Sequence, residues 1–193
     1  GMLGLEAAIR PLTFWRDIRD IERRFEFAFS DTDSTGRPTT AVVTVHKLLR
    51  GSFNILVADS VAEGSPPEAH VIHKPLADHW VRRLLLKRVP QADSSHRAWR
   101  LVATSGVKIT SRDAETRIES LRIQSGPLDT TITDPLAFFR LRAILKLDPG
   151  ADVRLTATTL RNDDLVLLYL RNHRARFRNN GDNTYTAVFR APD

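Results

Sequence analysis

The sequence predicts a mainly β fold of the α+β kind, with two helices in the N-terminal part and a C-terminal five-stranded antiparallel β-sandwich or small barrel. Three observations predict it. From Arg97 onward, short runs of apolar and β-branched residues alternate with polar ones and are divided by turn residues. Two earlier stretches, 11–24 and 75–88, instead repeat their apolar residues at the three- and four-residue spacing of a helix. Last, Asp148-Pro149-Gly150 and Asn180-Gly181 are turn signals of the kind that join antiparallel strands.

Residues 11–24 read as a helix because Phe14, Ile18, Ile21 and Phe25 recur at helical spacing, with Thr13 as N-cap and Asp17 in the early turns. The period then changes. Phe25, Phe27 and Phe29 alternate with Glu26 and Ala28, which is strand spacing. A turn-rich stretch follows at 31–38, and then 40–49 and 53–58 read as two strands of a meander turned at Arg50-Gly51. Residues 62–69 are a loop. Residues 75–88 give the clearest helical pattern. Pro75 suits the first helical position, Leu76, Trp80 and Leu84 form one stripe, Ala77, Val81 and Leu85 lie beside it, and Pro90 ends it. Strands are expected at 98–103, 107–110 and 117–123. After Gly126-Pro127 they are expected at 138–147, 153–160, 165–170, 174–178 and 184–190. Residues 3–126 thus read as an α+β unit with two helices and a β-meander, and 128–193 as an all-β unit. A single continuous domain is the alternative.

The chain has 193 residues, enough for a sizeable core, and 41% hydrophobic with 27% charged residues is ordinary globular composition. Absence of cysteine removes disulfides, thiolate metal sites and Cys nucleophiles. The longest apolar run, 165–170, is far short of the roughly 20 residues of a membrane helix. Gly1-Met2 reads as a cleavage remnant before a native start, and residues 2–15 hold no signal-like apolar region. A cytoplasmic protein is expected, or a secreted one if a signal peptide has been removed. The net charge is +6 with 24 of 29 basic residues Arg, which points either to a polyanion partner or to compositional bias, since no Lys/Arg run concentrates the charge.

Several residue groups carry candidate chemistry. His70, His73 and His79 fall within ten residues beside Asp78 and offer imidazoles for a zinc or iron site. They lack the paired His-x-x-x-His with an intervening Glu that a zinc helix carries. Asp31-x-Asp33-x-Thr35-Gly36 matches the first half of a calcium loop, but Val42 stands where the bidentate Glu belongs, so a hairpin turn accounts for the same residues. Ser105-x-x-Lys108 has the spacing of a Ser–Lys nucleophile pair in a strand-like context that does not suit it. Arg82 and Arg83, with Lys87 and Arg88, gather cations at the end of the second expected helix, either as a basic face for phosphate, nucleic acid or anionic lipid or as cations that favour a helix C-terminus. Arg174, Arg176 and Arg178 alternate along one expected strand. With Arg140 and Arg142 they would make a basic β face for single-stranded nucleic acid. No glycine-rich phosphate loop or dinucleotide fingerprint occurs, so no cofactor is expected.

The run 177–186, Phe-Arg-Asn-Asn-Gly-Asp-Asn-Thr-Tyr-Thr, resembles the last hairpin of bacterial immunoglobulin-like modules, in which a Gly-Asp-Gly-Thr-Tyr stretch is common. Asn183 replaces the second Gly. The resemblance covers about ten residues and implies a sandwich without implying an activity. Taken together, the sequence reads as a non-enzymatic binding protein whose partner is a protein or a polyanion. A nucleic-acid-binding protein using the Arg face, or a metal-assisted hydrolase using the His cluster, are the alternatives.

Overall fold

Strand periodicity governs the N-terminal half as well as the C-terminal one. The computed structural model describes residues 10–58, 69–89, 98–112, 114–140, 147–170 and 173–192. Its strands in chain order are β1 (Arg10–Thr32), β2 (Pro38–Ala58), β3 (Ala69–Arg88), β4 (Trp99–Ser111), β5 (Ile118–Ser125) and β6 (Leu128–Ile132). They continue with β7 (Phe138–Arg140), β8 (Asp152–Thr159), β9 (Leu167–Leu170), β10 (His173–Arg176), β11 (Arg178–Asn179) and β12 (Thr184–Arg190). The fold is mainly β and its sheets are antiparallel. No helix occurs among the described residues, so none of them forms a helix long and apolar enough to cross a membrane.

Both expected helices are strands, and the reason is arithmetical. In β3 the stripe Leu76, Trp80, Leu84 repeats every four residues, and four is twice the strand repeat of two. The same residues therefore share a face in a strand, while Ala77, Val81 and Leu85 share the other. In β1 the step from Ile18 to Ile21 is odd, which an unbroken strand would split between its faces. A bulge between Ile18 and Asp20 inserts one residue and restores the match. Phe14, Ile18, Ile21 and Phe25 then pair with Ile55, Gly51, Leu49 and Val45, all on one face of β2.

The expected turn at Arg50-Gly51 lies in mid-strand, because the two expected strands of the meander are one strand of 21 residues. Gly51 stands opposite the β1 bulge. A Cβ there would lie 1.8 Å from the Asp17 carbonyl oxygen, so only glycine permits the approach of the two backbones. Strands expected at 98–103 and 107–110 likewise fuse into β4. Pro75 sits inside β3, at a height where β4 has not begun to pair, since the β3–β4 ladder starts at Asp78 and Ser111.

The long sheet has the order β1-β2-β3-β4-β7 and a second five-stranded sheet the order β11-β12-β8-β5-β6, with β9 and β10 as a separate pair. In β8, Val153, Leu155, Ala157 and Thr159 are buried in strict alternation. With Ile123, Tyr185 and Ala187 they form one face of the second sheet. Val166 and Phe177 join that face in one buried cluster, with Leu168 of β9 packed against it, and Ala191 extends the face beyond β12. The second sheet thus has a two-layer core. Fully buried Tyr185 uses its hydroxyl twice, donating to the Arg161 carbonyl at 3.0 Å and accepting from the Asp164 N–H at 2.9 Å.

The turns sit where the sequence places them, with one change of type. Gly126-Pro127 is the two-residue loop of the β5–β6 hairpin, and the Ala151 N–H closes the Asp148-Pro149-Gly150 turn on the Asp148 carbonyl at 3.0 Å. Asn-Gly at 180–181 is the pair that favours a two-residue type I′ turn. The loop instead holds three residues, Gly181-Asp182-Asn183, between Asn180 and Thr184, with φ of 88° at Gly181 and 63° at Asn183. The expected strand at 174–178 is broken at buried Phe177 into β10 and β11, and of the expected strand at 138–147 residues 141–146 lie outside the described residues.

Candidate functional site

Directly opposed residues in a ladder share a face, so the registers of the long sheet can be read as rows across it. One row runs Phe25, Val45, Arg82, Val107, and the next runs Arg23, Lys47, Trp80, Ile109. Toward the β1–β2 turn the rows are Phe27, Val43, Leu84 and then Phe29, Ala41, Leu86, Leu101. These rows are dominated by apolar residues on a single face.

That face is concave at its turn end. Phe29 of β1 and Trp99 of β4 have ring centroids 6.0 Å apart, although two strands lie between them. In a flat sheet those strands would be about 14 Å apart, so the rings lean toward each other over a face that curls between them. Floor residues Ala41 and Val45 are buried, yet Phe25, Phe27 and Phe29 along the rim are 53%, 62% and 57% exposed. Leu101, Val107 and Ile109 on the opposite rim are exposed too. Cations punctuate the surface. The Lys47 Nζ sits 4.3 Å from the Trp80 ring centre, Arg82 Nε donates to Thr104 Oγ1 at 3.0 Å, and Arg88 approaches Asp33 at 3.6 Å. A contiguous exposed apolar face of this kind marks an interaction surface more often than it occurs by chance.

Two polar knots flank the apolar rows. On the concave side Asp78 is 1% exposed. Its Oδ1 accepts from Ser111 Oγ at 2.6 Å, and its Oδ2 makes no hydrogen bond but lies 3.4 Å from Arg16 Nη1. Arg16, Asp78 and Ser111 share a shallow cleft of about 250 Å³ with Phe53, Lys74 and Leu76. On the convex side buried Asn54 donates to Asp17 Oδ2 at 2.7 Å, and its Oδ1 lies 2.6 Å from His73 Nδ1. Farther along, the rings of His46 and His79 stack at 5.2 Å with Nδ1 and Nε2 3.0 Å apart, and His46 Nε2 is 3.4 Å from Glu26 Oε2.

The residues singled out by the sequence are dispersed. His70 lies on the opposite face of β3 from His73 and His79, by the parity of their pairing with Val57, Asn54 and Leu48. His73 and His79 are six residues apart, about 20 Å along a strand, and each is engaged with a different β2 side chain. Among the described residues no three His, Asp or Glu side chains gather as metal ligands. Arg82 and Arg83 are neighbours on opposite faces of β3, and the Arg83 guanidinium lies 4.7 Å from the Phe138 ring centre. Arg140 ends β7 at the edge of the long sheet, and Arg142 lies outside the described residues. Arg174 and Arg176 belong to β10, whereas exposed Arg178 belongs to β11 in the second sheet.

The half calcium motif is closed on itself. Asp33 Oδ1 accepts from Thr35 N–H, Thr35 Oγ1 and Arg37 N–H at 2.8, 2.6 and 3.0 Å, and these bonds, the Thr35 hydroxyl foremost, hold its carboxyl below the usual range. Ser105 Oγ is spent on the backbone, donating to the Gly106 carbonyl and accepting from Arg83 N–H. Sequence reasoning identified the Phe25-x-Phe27-x-Phe29 alternation but missed His46, Asn54 and Arg16. Their partners lie 15 or more positions away and become visible only through the register. No protein-family model, curated protein or solved structure matches this chain.

Proposed function

We propose that this chain is a non-enzymatic interaction protein that presents the concave face of its long sheet to a protein partner and also carries an immunoglobulin-like β-sandwich. The observation that carries the reading is the file Phe25, Phe27, Phe29, each more than half exposed, rising beside the apolar floor of β2 and β3. Burying three such rings would supply most of the apolar area of an interface core. The sandwich part of the reading is supported by the packing of Val166, Leu168 and Phe177 on the second sheet. It is supported further by Asn183, whose φ of 63° is the geometry that favours Gly in the hairpins it resembles.

The test is a peptide selection from a random display library against the folded chain. Selected peptides should be rich in apolar residues and should lose binding to Phe27→Glu while keeping it with Arg176→Glu. Undiminished binding to Phe27→Glu would remove the concave face from the function.

A further inference from the structure

We propose that the partner of this surface is a second copy of the chain, joined edge to edge along β1 in an antiparallel register centred on Phe25. The inference rests on the reading of the long sheet as an interaction surface and names its occupant. Among the described residues the segment 20–32 of β1 pairs with β2 alone, which makes it an edge of the sheet. Its segment 20–32 contains no Pro and no Lys, and its charges leave Phe25, Phe27 and Phe29 exposed along the strand. Ile21, Phe25, Phe27 and Phe29 line this edge and are all more than 40% exposed. An unpaired strand of this length and hydrophobicity is a template for another strand.

Among two-fold axes at residues 24 to 26, charge opposition favours one register. In an antiparallel pair about a two-fold axis at Phe25, residue positions opposite one another sum to fifty. Phe25 then faces Phe25 of the second copy, Arg23 faces Phe27, and Ile21 faces Phe29, all on the concave side. On the convex side Arg24 faces Glu26 of the second copy and Glu26 faces its Arg24, so the axis generates two ion pairs at once. In the single chain Arg24 and Glu26 pair with each other at 2.9 Å, at 75% and 49% exposure, and His46 lies 3.4 Å from Glu26, so pairing across the axis exchanges these contacts between the copies. Moving the axis to residue 24 sets Arg24 against Arg24 and Glu22 against Glu26, and moving it to residue 26 sets Glu26 against Glu26. Like charges directly opposed destabilise a strand pair. Axes between residues would turn the apolar file of one copy to the polar side of the other. Of these placements, the one at Phe25 alone matches faces and opposes unlike charges. The product is one continuous sheet in which the two concave faces adjoin.

Because the chain has no cysteine, a single introduced thiol reports the register directly. Phe25→Cys should form a disulfide-linked dimer on mild oxidation, since residues on the axis have Cβ atoms roughly 5 Å apart. Ala28→Cys, about 20 Å from its own copy in this register, should stay monomeric in denaturing electrophoresis. Sedimentation equilibrium of the full chain should give twice the chain mass. Arg24→Glu and Glu26→Arg should each weaken the dimer roughly tenfold or more, and the exchange Arg24→Glu with Glu26→Arg should restore it. Circular dichroism of each variant establishes that it is folded. A monomer at every concentration, or cross-linking at 28 and not at 25, overturns the proposal. A monomer that still binds selected peptides in a Phe27-dependent way would end the self-pairing alone. A monomer that binds none would end the interaction-surface reading with it.

Discussion

Replacing Arg16 with Met tests whether the carboxylate of Asp78 is held by charge. Asp78 is 1% exposed, its Oδ1 is satisfied by Ser111, and the guanidinium of Arg16 at 3.4 Å is the counter-charge that faces its Oδ2. Removing one partner of a buried ion pair typically costs 3–5 kcal/mol, because the remaining charge is left without compensation. Arg16 is itself 47% exposed, so water already screens part of the attraction and replaces part of what is lost. The expected loss is about 2–3 kcal/mol. Met keeps most of the side-chain length over Phe53, so lost packing contributes little. Asp78→Asn keeps the shape and a hydrogen-bond acceptor for Ser111 while removing the charge. In that background Arg16→Met should cost under about 1 kcal/mol. Urea denaturation followed by tryptophan emission reads the effect where it occurs, because Trp15, Trp80 and Trp99 all belong to the long sheet. An equal loss in both backgrounds would refute the electrostatic account.

Gly51→Ala forces a methyl group into the Asp17 carbonyl, so the bulge must open. The expected loss is roughly 1–3 kcal/mol, and a thermal midpoint unchanged from the wild type would show that β1 gives way freely. Tyr185→Phe removes both hydroxyl bonds to the 161–164 loop. It should destabilise by about 1–3 kcal/mol and speed amide exchange at Asp164, and unaltered exchange there would contradict the hydroxyl's role as a clasp. The carboxyls of Asp33, Asp129, Asp163 and Asp182 are held below their usual value of 3.8, by Thr35, Arg122, Arg161 and Thr184 respectively. A lowered folded-state value adds stability above the unfolded value and loses it as pH falls through the folded one. The urea midpoint should therefore hold from neutrality down to about pH 4 and decline below it. A midpoint that rises on acidification would reverse the sign and exclude these aspartates as its source.

The C-terminal strands were legible because short alternating runs ended by Gly, Pro and Asn leave little choice of period. The expected strand 184–190 coincides with β12, and 153–160 differs from β8 by one residue at each end. The parts of β1 and β3 at 11–24 and 75–88 read as helices because their apolar spacing satisfies both periods. Four-residue steps in β3 belong to either, and one bulge in β1 converts an odd step into an even one. Composition could not arbitrate, since Leu, Arg and Ala in these stretches are good helix formers. The exposed Phe file was seen as a strand, but its exposure depends on what the other face of the sheet meets, which no single strand encodes. Asn54 and Arg16 were invisible for the same reason, since their partners are defined by pairing across two strands.

The bulge that reconciles β1 with its partner also sets a conflict in the folding landscape. Before β2 is present, the segment around Phe14, Ile18, Ile21 and Phe25 has one apolar stripe as a helix, and as a regular strand it has that stripe split between two sides. Its local minimum and its native state therefore differ in hand, rise and hydrogen bonding. Any helix that forms there has to unwind before β1 zips up onto β2 from the Asp33 turn. Helix–coil exchange takes about a microsecond or less, and a hairpin takes longer. Early helix is thus a rapidly reversible detour, and a register chosen one residue away from the bulge is the slower error to undo.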